Sequence, residues 1–391
     1  MLPLDGVRVL DLSRLLPGPY ATLLLADLGA DVVKVEDPDL GDLLRHVPPL
    51  AGEQSGAFHA LNRNKRSLGL DLRRPEGVAT FLRLARRADV VVESFRPGVL
   101  ARMGLGWEVL HRENPRLVLA SITGYGQDGP YAARAGHDLD YVALAGVLGL
   151  GGPPDRPVAP GVQVADIAGG SWPAVAGILA ALVGRERSGQ GAHVDASMLE
   201  GALALMALPL AMAQARGTPL ARGRELLGGG TACYGVYRTK DGRHVALGAL
   251  EPKFFATFAA AVGRPELAAR QFEDDGRGPR AELEGIFRSR TLAEWEAFAA
   301  EHDACVAPVR EGDEVLRDPH LAARGAFLEI ETPWEGRALP GVASPVRLAG
   351  VEPPRRPAPR VGEHSEDVLA EAGFGVGEIA ALRSAGVVGA T

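Results

Sequence analysis

A chain of 391 residues exceeds what one hydrophobic core ordinarily organises, so two domains of unequal size, or one large domain with an appendage, are expected. With 46% hydrophobic and 23% charged residues the composition is that of an ordinary globular protein, and the formal net charge of -7 argues against nucleic acid as a general partner, because phosphate neutralisation needs a basic surface. The two cysteines, Cys233 and Cys305, stand apart without CxxC spacing, which excludes a disulfide framework and a cysteine zinc site and fits a reducing cytoplasm.

The amino terminus has no basic region leading into an apolar run, so no secretory signal is expected. Residues 7–12 (VRVLDL), the helical stretch 20–28 (YATLLLADL) stopped by Gly29, and residues 31–36 (DVVKVE) read as strand, helix and strand of a βαβ unit with a parallel sheet. A dinucleotide fingerprint belongs in the first turn of such a unit, and residues 13–19 contain a single glycine. Residues 63–66 (RNKR) then place three positive charges, Arg63, Lys65 and Arg66, in an acidic chain. Such a cluster is either a solvated loop or the local patch that a ligand with several phosphates needs.

The alternation continues with a helix in residues 73–88, a strand in 89–95 and a further strand in 116–123. Arg96 sits in the turn beyond the carboxyl end of the 89–95 strand, where open α/β sheets bind ligands, and is a candidate for gripping an anion. Residues 124–129 (GYGQDG) match GxGxxG literally, but Pro130 follows, no long apolar helical period comes after it, and no acidic residue closes a second strand. The reading that remains is a loop at Gly124, Tyr125 and Gly126 whose backbone closely approaches a ligand.

Residues 171–189 read as a helix with Pro173 near its first turn and Gly189 past its end, which puts Asp166 just before a helix N-terminus. A strand at 192–197 and a long helix at 198–216 complete a large α/β body. The apolar run 201–215 is shorter than the roughly 18 residues of a membrane span and contains Pro209, so it reads as buried and no membrane partner is expected. Residues 217–227 read as a linker and 228–330 as a smaller α+β domain opening with a hairpin whose turn is Lys240, Asp241 and Gly242. The proline- and arginine-rich segment 331–391 is expected to wrap back onto the large body formed by residues 1–216.

The residues that promise chemistry are His137, in a Gly-His-Asp tripeptide, and Asp166, 29 positions later. A histidine and a carboxylate facing one carbon can remove a proton from one side and return one on the other. Asp138 is equally a favoured N-cap for a following helix, and Glu251 precedes Pro252 at another helix start. His46, His59 and His193 fit no motif and read as surface or loop residues.

Taken in order, DLGADVVKVE, RNKRSL, ESFRPGV, TGYGQDGP, GHDLDY, ADIAGG, DGRHVALGALEPKF and DACVAPV resemble the family III CoA-transferase superfamily, and within it the α-methylacyl-CoA racemases. The resemblance implies a large Rossmann-like parallel-sheet domain with a smaller α+β domain, in an interlocked ring-like homodimer acting on acyl-CoA thioesters. It implies that His137 and Asp166 are the acid/base pair and that Asp138 and Glu251 position or polarise it. Arg63, Lys65, Arg66 and Arg96 would hold CoA phosphates, and no cofactor or metal beyond the CoA moiety of the substrate is expected. The implied reaction is epimerisation of 2-methylacyl-CoA through an enolate. The rival is CoA transfer, in which Asp166 attacks the thioester to form a mixed anhydride, and His137 separates the two because only the two-base reaction needs it. A third reading, an acyl-CoA binding protein without chemistry, requires that pair to be absent or blocked.

Overall fold

The computed structural model describes residues 2–332 and 337–389; residues 1, 333–336, 390 and 391 lie outside it. Contacts divide the chain into one unit of Met1–Ala145, Val162–Leu205 and His320–Thr391, and a second of Gly146–Gly161 and Met206–Pro319. The division therefore falls before the 217–227 segment, the second unit also takes residues from the middle of the chain, and the carboxyl-terminal return starts at His320.

The first unit is built on a six-stranded sheet of β1 (Arg8–Asp11), β2 (Asp31–Glu36), β3 (Arg66–Gly69), β4 (Val90–Glu93), β5 (Val118–Thr123) and β6 (His193–Ser197). All pairings are parallel and the order is β3-β2-β1-β4-β5-β6, so the direction of winding reverses between β1 and β4. Apolar runs such as VVVE in β4 are buried throughout, as expected for strands covered on both faces. Helix α1 (Pro17–Asp27) begins at a proline and ends before Gly29, whose φ of 103° supplies the left-handed exit. On one side the sheet packs with Phe81 and Leu84 of α2 (Pro75–Ala85) and with Val368, Leu369, Ile379, Val387 and Val388 from the carboxyl-terminal segment. That segment thus supplies part of the core, and Val388 adds an antiparallel bridge to Leu70.

Three helices follow that organise the site. Helix α3 spans Asp138–Leu144. A π-helical stretch, Val164–Ser171, runs directly into α4 (Trp172–Ser188), which packs on β5, β6 and α1. Asp166 is consequently inside the first helical turn and not before it, because the helical path opens at Val164 instead of at Ser171. The expected single helix at 198–216 is two, α5 (Met198–Ala204) and α6 (Ala207–Arg216), bent by 50°. Pro209 is tolerated in the first turn of α6, where its missing N–H has no partner to lose. This stretch is also not the buried helix expected: Leu203, Leu205, Leu208 and Leu210 are exposed, and only Ala213 of α6 is buried. The run Val164–Ser188 is long and apolar enough to cross a membrane by length and composition, with 33% of its most apolar window buried.

In the second unit, β7 (Tyr234–Arg238), β8 (His244–Gly248) and β9 (Val306–Pro308) form an antiparallel sheet in the order β9-β8-β7. Gly242, with φ of 81°, closes the β7–β8 hairpin. Its core is aromatic, with Phe255 and Phe258 of α7 (Pro252–Ala261), Phe287, and Trp295 and Phe298 of α8 (Leu292–Glu301). The indole N–H of Trp295 donates to the Phe287 carbonyl at 3.0 Å, so burial leaves its polar edge satisfied.

Candidate active site

At the carboxyl ends of β1, β4 and β5, on the winding reversal, lies a cavity of about 390 Å³. Doubly wound sheets open a crevice at this point because the loops from β1 and β4 leave in opposite directions. The cavity is lined by Arg14, Leu15 and Pro17 after β1, by residues 94–97 after β4, by Gly124 after β5, and by His137, Tyr141 and Asp166. The sequence-predicted pair is thus brought to one cavity.

The two halves of that pair are joined through the backbone. His137 is the N-cap residue of α3, and its own amide donates to the Asp140 carboxylate at 2.9 Å. Asp138 is the first residue of α3 and not its cap; its carboxylate accepts the Asp166 amide at 2.9 Å, tying the start of α3 to the π-helix. Two glycines place that π-helix. A Cβ on Gly169 would lie 2.7 Å from the Met198 carbonyl oxygen, and one on Gly201 would lie 1.9 Å from that of Gly169, so the π-helix and α5 approach as closely as they do only without side chains. Ser171 adds a hydrogen bond to the Pro17 carbonyl at 2.6 Å.

The Asp166 carboxyl is pushed up to about 6, first by burial and then by the Asp138 charge, with His137 pulling the other way. Among the described residues no group donates a hydrogen bond to this carboxylate, so only the His137 charge offsets the burial. Tyr141, whose hydroxyl donates to the Gly136 carbonyl at 2.6 Å, is pushed up to about 12 by burial and by the charges around it, including Asp166. A third buried acid, Glu93 at the end of β4, is raised to about 7 by burial; it accepts the Phe95 amide at 2.7 Å and so holds the turn that carries Phe95 and Arg96.

Three guanidinium groups line the cavity, those of Arg14, Arg96 and Arg134. Arg14 lies over the Phe95 ring at 5.2 Å and Arg134 over the Tyr131 ring at 3.7 Å, and among the described residues none of the three has a carboxylate partner. A second cavity of about 260 Å³ shares Arg14 and Phe95 with the first and extends along the carboxyl ends of β2 and β3 past Val35, Leu70 and Leu72. Arg14 and Phe95 thus stand between the two cavities. Arg14 and Arg134 were not anticipated; Arg14 lies beyond the end of β1 as Arg96 does beyond β4, so the rule that found one applied to the other.

The basic cluster expected to hold CoA phosphates is engaged in ion pairs. Lys65 is buried with its ammonium 3.2 Å from Asp11, Arg63 is 2.6 Å from buried Asp27, and Arg66 pairs with Asp31 at 2.6 Å and Glu371 at 3.0 Å. Carboxylates within the protein thus pair with all three, while the cavity that holds His137 and Asp166 is lined by Arg96 and by none of them. The glycine loop is corrected in part. Gly124 lines the cavity, but its missing side chain makes room for Tyr141, whose hydroxyl would be 2.5 Å from a Cβ there. Tyr125 packs edge-on against Tyr131 and Tyr141, and the amides of Gly126 and Gln127 bond to Thr123 and Asp195 at 3.1 and 3.0 Å. These amides are therefore engaged within the protein.

Glu251 is the exposed N-cap residue of α7 in the second unit, without a side-chain cap bond. His59 is fully buried, and His193 stacks on Trp107 with ring centroids 5.7 Å apart and lies 3.0 Å from the Ser121 hydroxyl, so neither is the surface residue expected. Among the described residues no group of three or more His, Cys, Asp or Glu side chains is arranged to hold a metal ion.

Comparison with known proteins bears on this site. The profile of CoA-transferase family III matches residues 4–365. The chain is 38% identical over 386 residues to the alpha-methylacyl-CoA racemase of Homo sapiens, covering 98% of this chain and 97% of that one. It is also 38% identical over 390 residues to the succinate–glutarate CoA-transferase of Agrobacterium fabrum, covering 94% and 95%. The crystal structure of a CAIB/BAIF family protein from Brucella suis superposes with a TM-score of 0.81 at 33% identity, over 95% of this chain and 99% of that one. Matched along nearly its whole length by the profile and by relatives of both reaction types, the chain is an enzyme of CoA-transferase family III.

Proposed function

We propose that the protein interconverts the R and S forms of 2-methylacyl-CoA thioesters. The observation that carries this reading is the placement of His137 and Asp166 on one cavity, with the Asp166 carboxyl raised to about 6 and given no hydrogen bond by the described residues. A carboxyl in that range is ionised enough near neutral pH to take a proton and acidic enough to return one. In one direction Asp166 removes the α-proton and protonated His137 delivers one to the opposite face; in the other the roles exchange. The thioester oxygen gathers the charge of the enolate between these steps, and the helix that opens at Val164 and carries Asp166 to the cavity would present its positive end to that charge. Arg14 and Arg96, without carboxylate partners among the described residues, would meet the phosphates of CoA. No cofactor beyond the CoA moiety enters this chemistry.

A homodimer, the assembly that the family resemblance implies, is part of this proposal and would cover exposed apolar side chains such as Val183 of α4 and Leu203 of α5. The identity of 38% to a CoA-transferase favours a second reading, in which the Asp166 carboxylate attacks the thioester carbonyl, expels the CoA thiolate and leaves a mixed anhydride. One experiment separates the two. The enzyme is incubated with a single epimer of a 2-methylacyl-CoA in deuterated water. Inversion with deuterium at the α-carbon, lost in His137→Ala and in Asp166→Ala, supports epimerisation. Transfer of CoA to an added free acid, with Asp166 trapped by hydroxylamine, decides for the transferase.

A further inference from the structure

The loop of residues 13–17 carries Arg14 and Leu15 into the cavity, and Leu15 does so with a φ of 65°. A leucine in this left-handed region is strained, and such strain persists only where the surroundings over-determine it. Here they do. The Leu15 amide donates to Asp42 Oδ1 at 3.1 Å, the Ser13 carbonyl accepts from Lys34 Nζ at 2.9 Å, and the Ser13 amide donates to Asp11 Oδ1 at 3.0 Å. Lys34 and Asp42 pair at 2.8 Å with side chains 1% and 0% exposed, and Asp11 pairs with Lys65. Four charged groups are therefore withdrawn from water beneath a single short loop. Hydrophobic residues would pack that space at less desolvation cost than these ions do.

We propose that Asp42 and Lys34 are positioning residues for substrate. With Asp11 and Lys65 behind them they clamp Ser13 and Leu15, and so set the Leu15 side chain and the Arg14 guanidinium against the bound thioester. Arg14 is reached from a second side as well, its amide donating to Ser94 Oγ at 3.1 Å, which couples the loops after β1 and β4. The identity of the ligand rests on the acyl-CoA reading above; the clamp itself does not depend on which reaction follows.

The test compares Asp42→Ala, which removes the acceptor of the Leu15 amide, with Asp42→Asn, which keeps an oxygen there. Deuterium uptake by the backbone of residues 12–16 is measured in the ligand-free enzyme, alongside KM and kcat for α-proton exchange of a 2-methylacyl-CoA. The expected result for Asp42→Ala is at least tenfold faster uptake and a KM raised about tenfold with kcat changed less than threefold, both partly restored in Asp42→Asn. Unchanged uptake overturns the proposal, and so does faster uptake with an unchanged KM. Should Asp42→Ala not fold, Lys34→Met, which removes the donor to the Ser13 carbonyl, is measured in the same two ways, and a wild-type KM with unchanged uptake in that variant refutes the clamp. If the wild-type enzyme exchanges no α-proton, the epimerase reading alone fails, and the dissociation constant of the same thioester, measured by calorimetry, takes the place of KM.

Discussion

Asp166→Asn separates what the active site needs from what the fold prefers. The wild-type carboxyl is raised from 3.8 to about 6, chiefly by burial, and no described group donates a hydrogen bond to it, so the amide loses no partner. A raised carboxyl binds protons more tightly in the folded than in the unfolded protein. Wild-type stability therefore falls as pH rises from about 4 to about 6 and stays lower above that. A rise of about two units corresponds to about 3 kcal/mol, and because the group is partly open to solvent roughly half of that, about 1.5 kcal/mol, is expected. Denaturant unfolding of the two proteins from pH 3.5 to pH 8 reads this directly. Asp166→Asn is predicted to be more stable at pH 8 by about 1.5 kcal/mol, with the difference vanishing near pH 3.5, while its α-proton exchange falls by about a thousandfold or more. A variant less stable than wild type at pH 8, or a difference independent of pH, would refute the placement of Asp166 as an uncompensated carboxylate.

Asp138→Asn removes the like charge beside Asp166 while its side-chain oxygen still accepts the Asp166 amide, so the acid limb of the kcat/KM profile moves to lower pH, by on the order of one unit; an unmoved limb means burial alone sets it. Glu93→Gln relieves a carboxyl raised from 4.5 to about 7 by burial, so it is predicted to stabilise the protein above pH 7 by at most about 3 kcal/mol, with the gain disappearing below about pH 4.5 in the same unfolding measurement. Arg14→Ala and Arg96→Ala are each expected to raise KM for CoA thioesters about 10- to 100-fold and to flatten its dependence on salt. Arg66→Ala, whose charge is already matched by Asp31 and Glu371, is expected to leave KM within about twofold; a larger rise restores that arginine to the phosphate site.

Much of the architecture was legible because its causes are local. Strands buried on both faces must be apolar along their length, which is why residues 31–36, 89–95 and 116–123 could be read as β2, β4 and β5. Backbone constraints are local too, so the glycine after α1 and the proline opening α7 marked those helix ends, whereas Pro17, which opens α1, read as part of a loop. The break between α5 and α6 left no such mark, because Pro209 lies beyond it inside the first turn of α6.

The electrostatic role of a side chain is a sum over neighbours that the sequence does not show. The RNKR cluster looks like a patch awaiting phosphate until folding brings Asp11, Asp27 and Asp31 from 30 or more positions upstream to meet it. Arg14 and Arg96, each isolated in sequence, are left facing a cavity without carboxylate partners among the described residues. The sequence alone determined which residue types could do the chemistry, His137 and Asp166 above all, and that the strands before them alternate with helices. Only the tertiary structure decided that these two residues share one cavity, that the Asp166 carboxyl is raised to about 6, and which cations remain unpaired, because charge compensation and burial are set by groups distant along the chain.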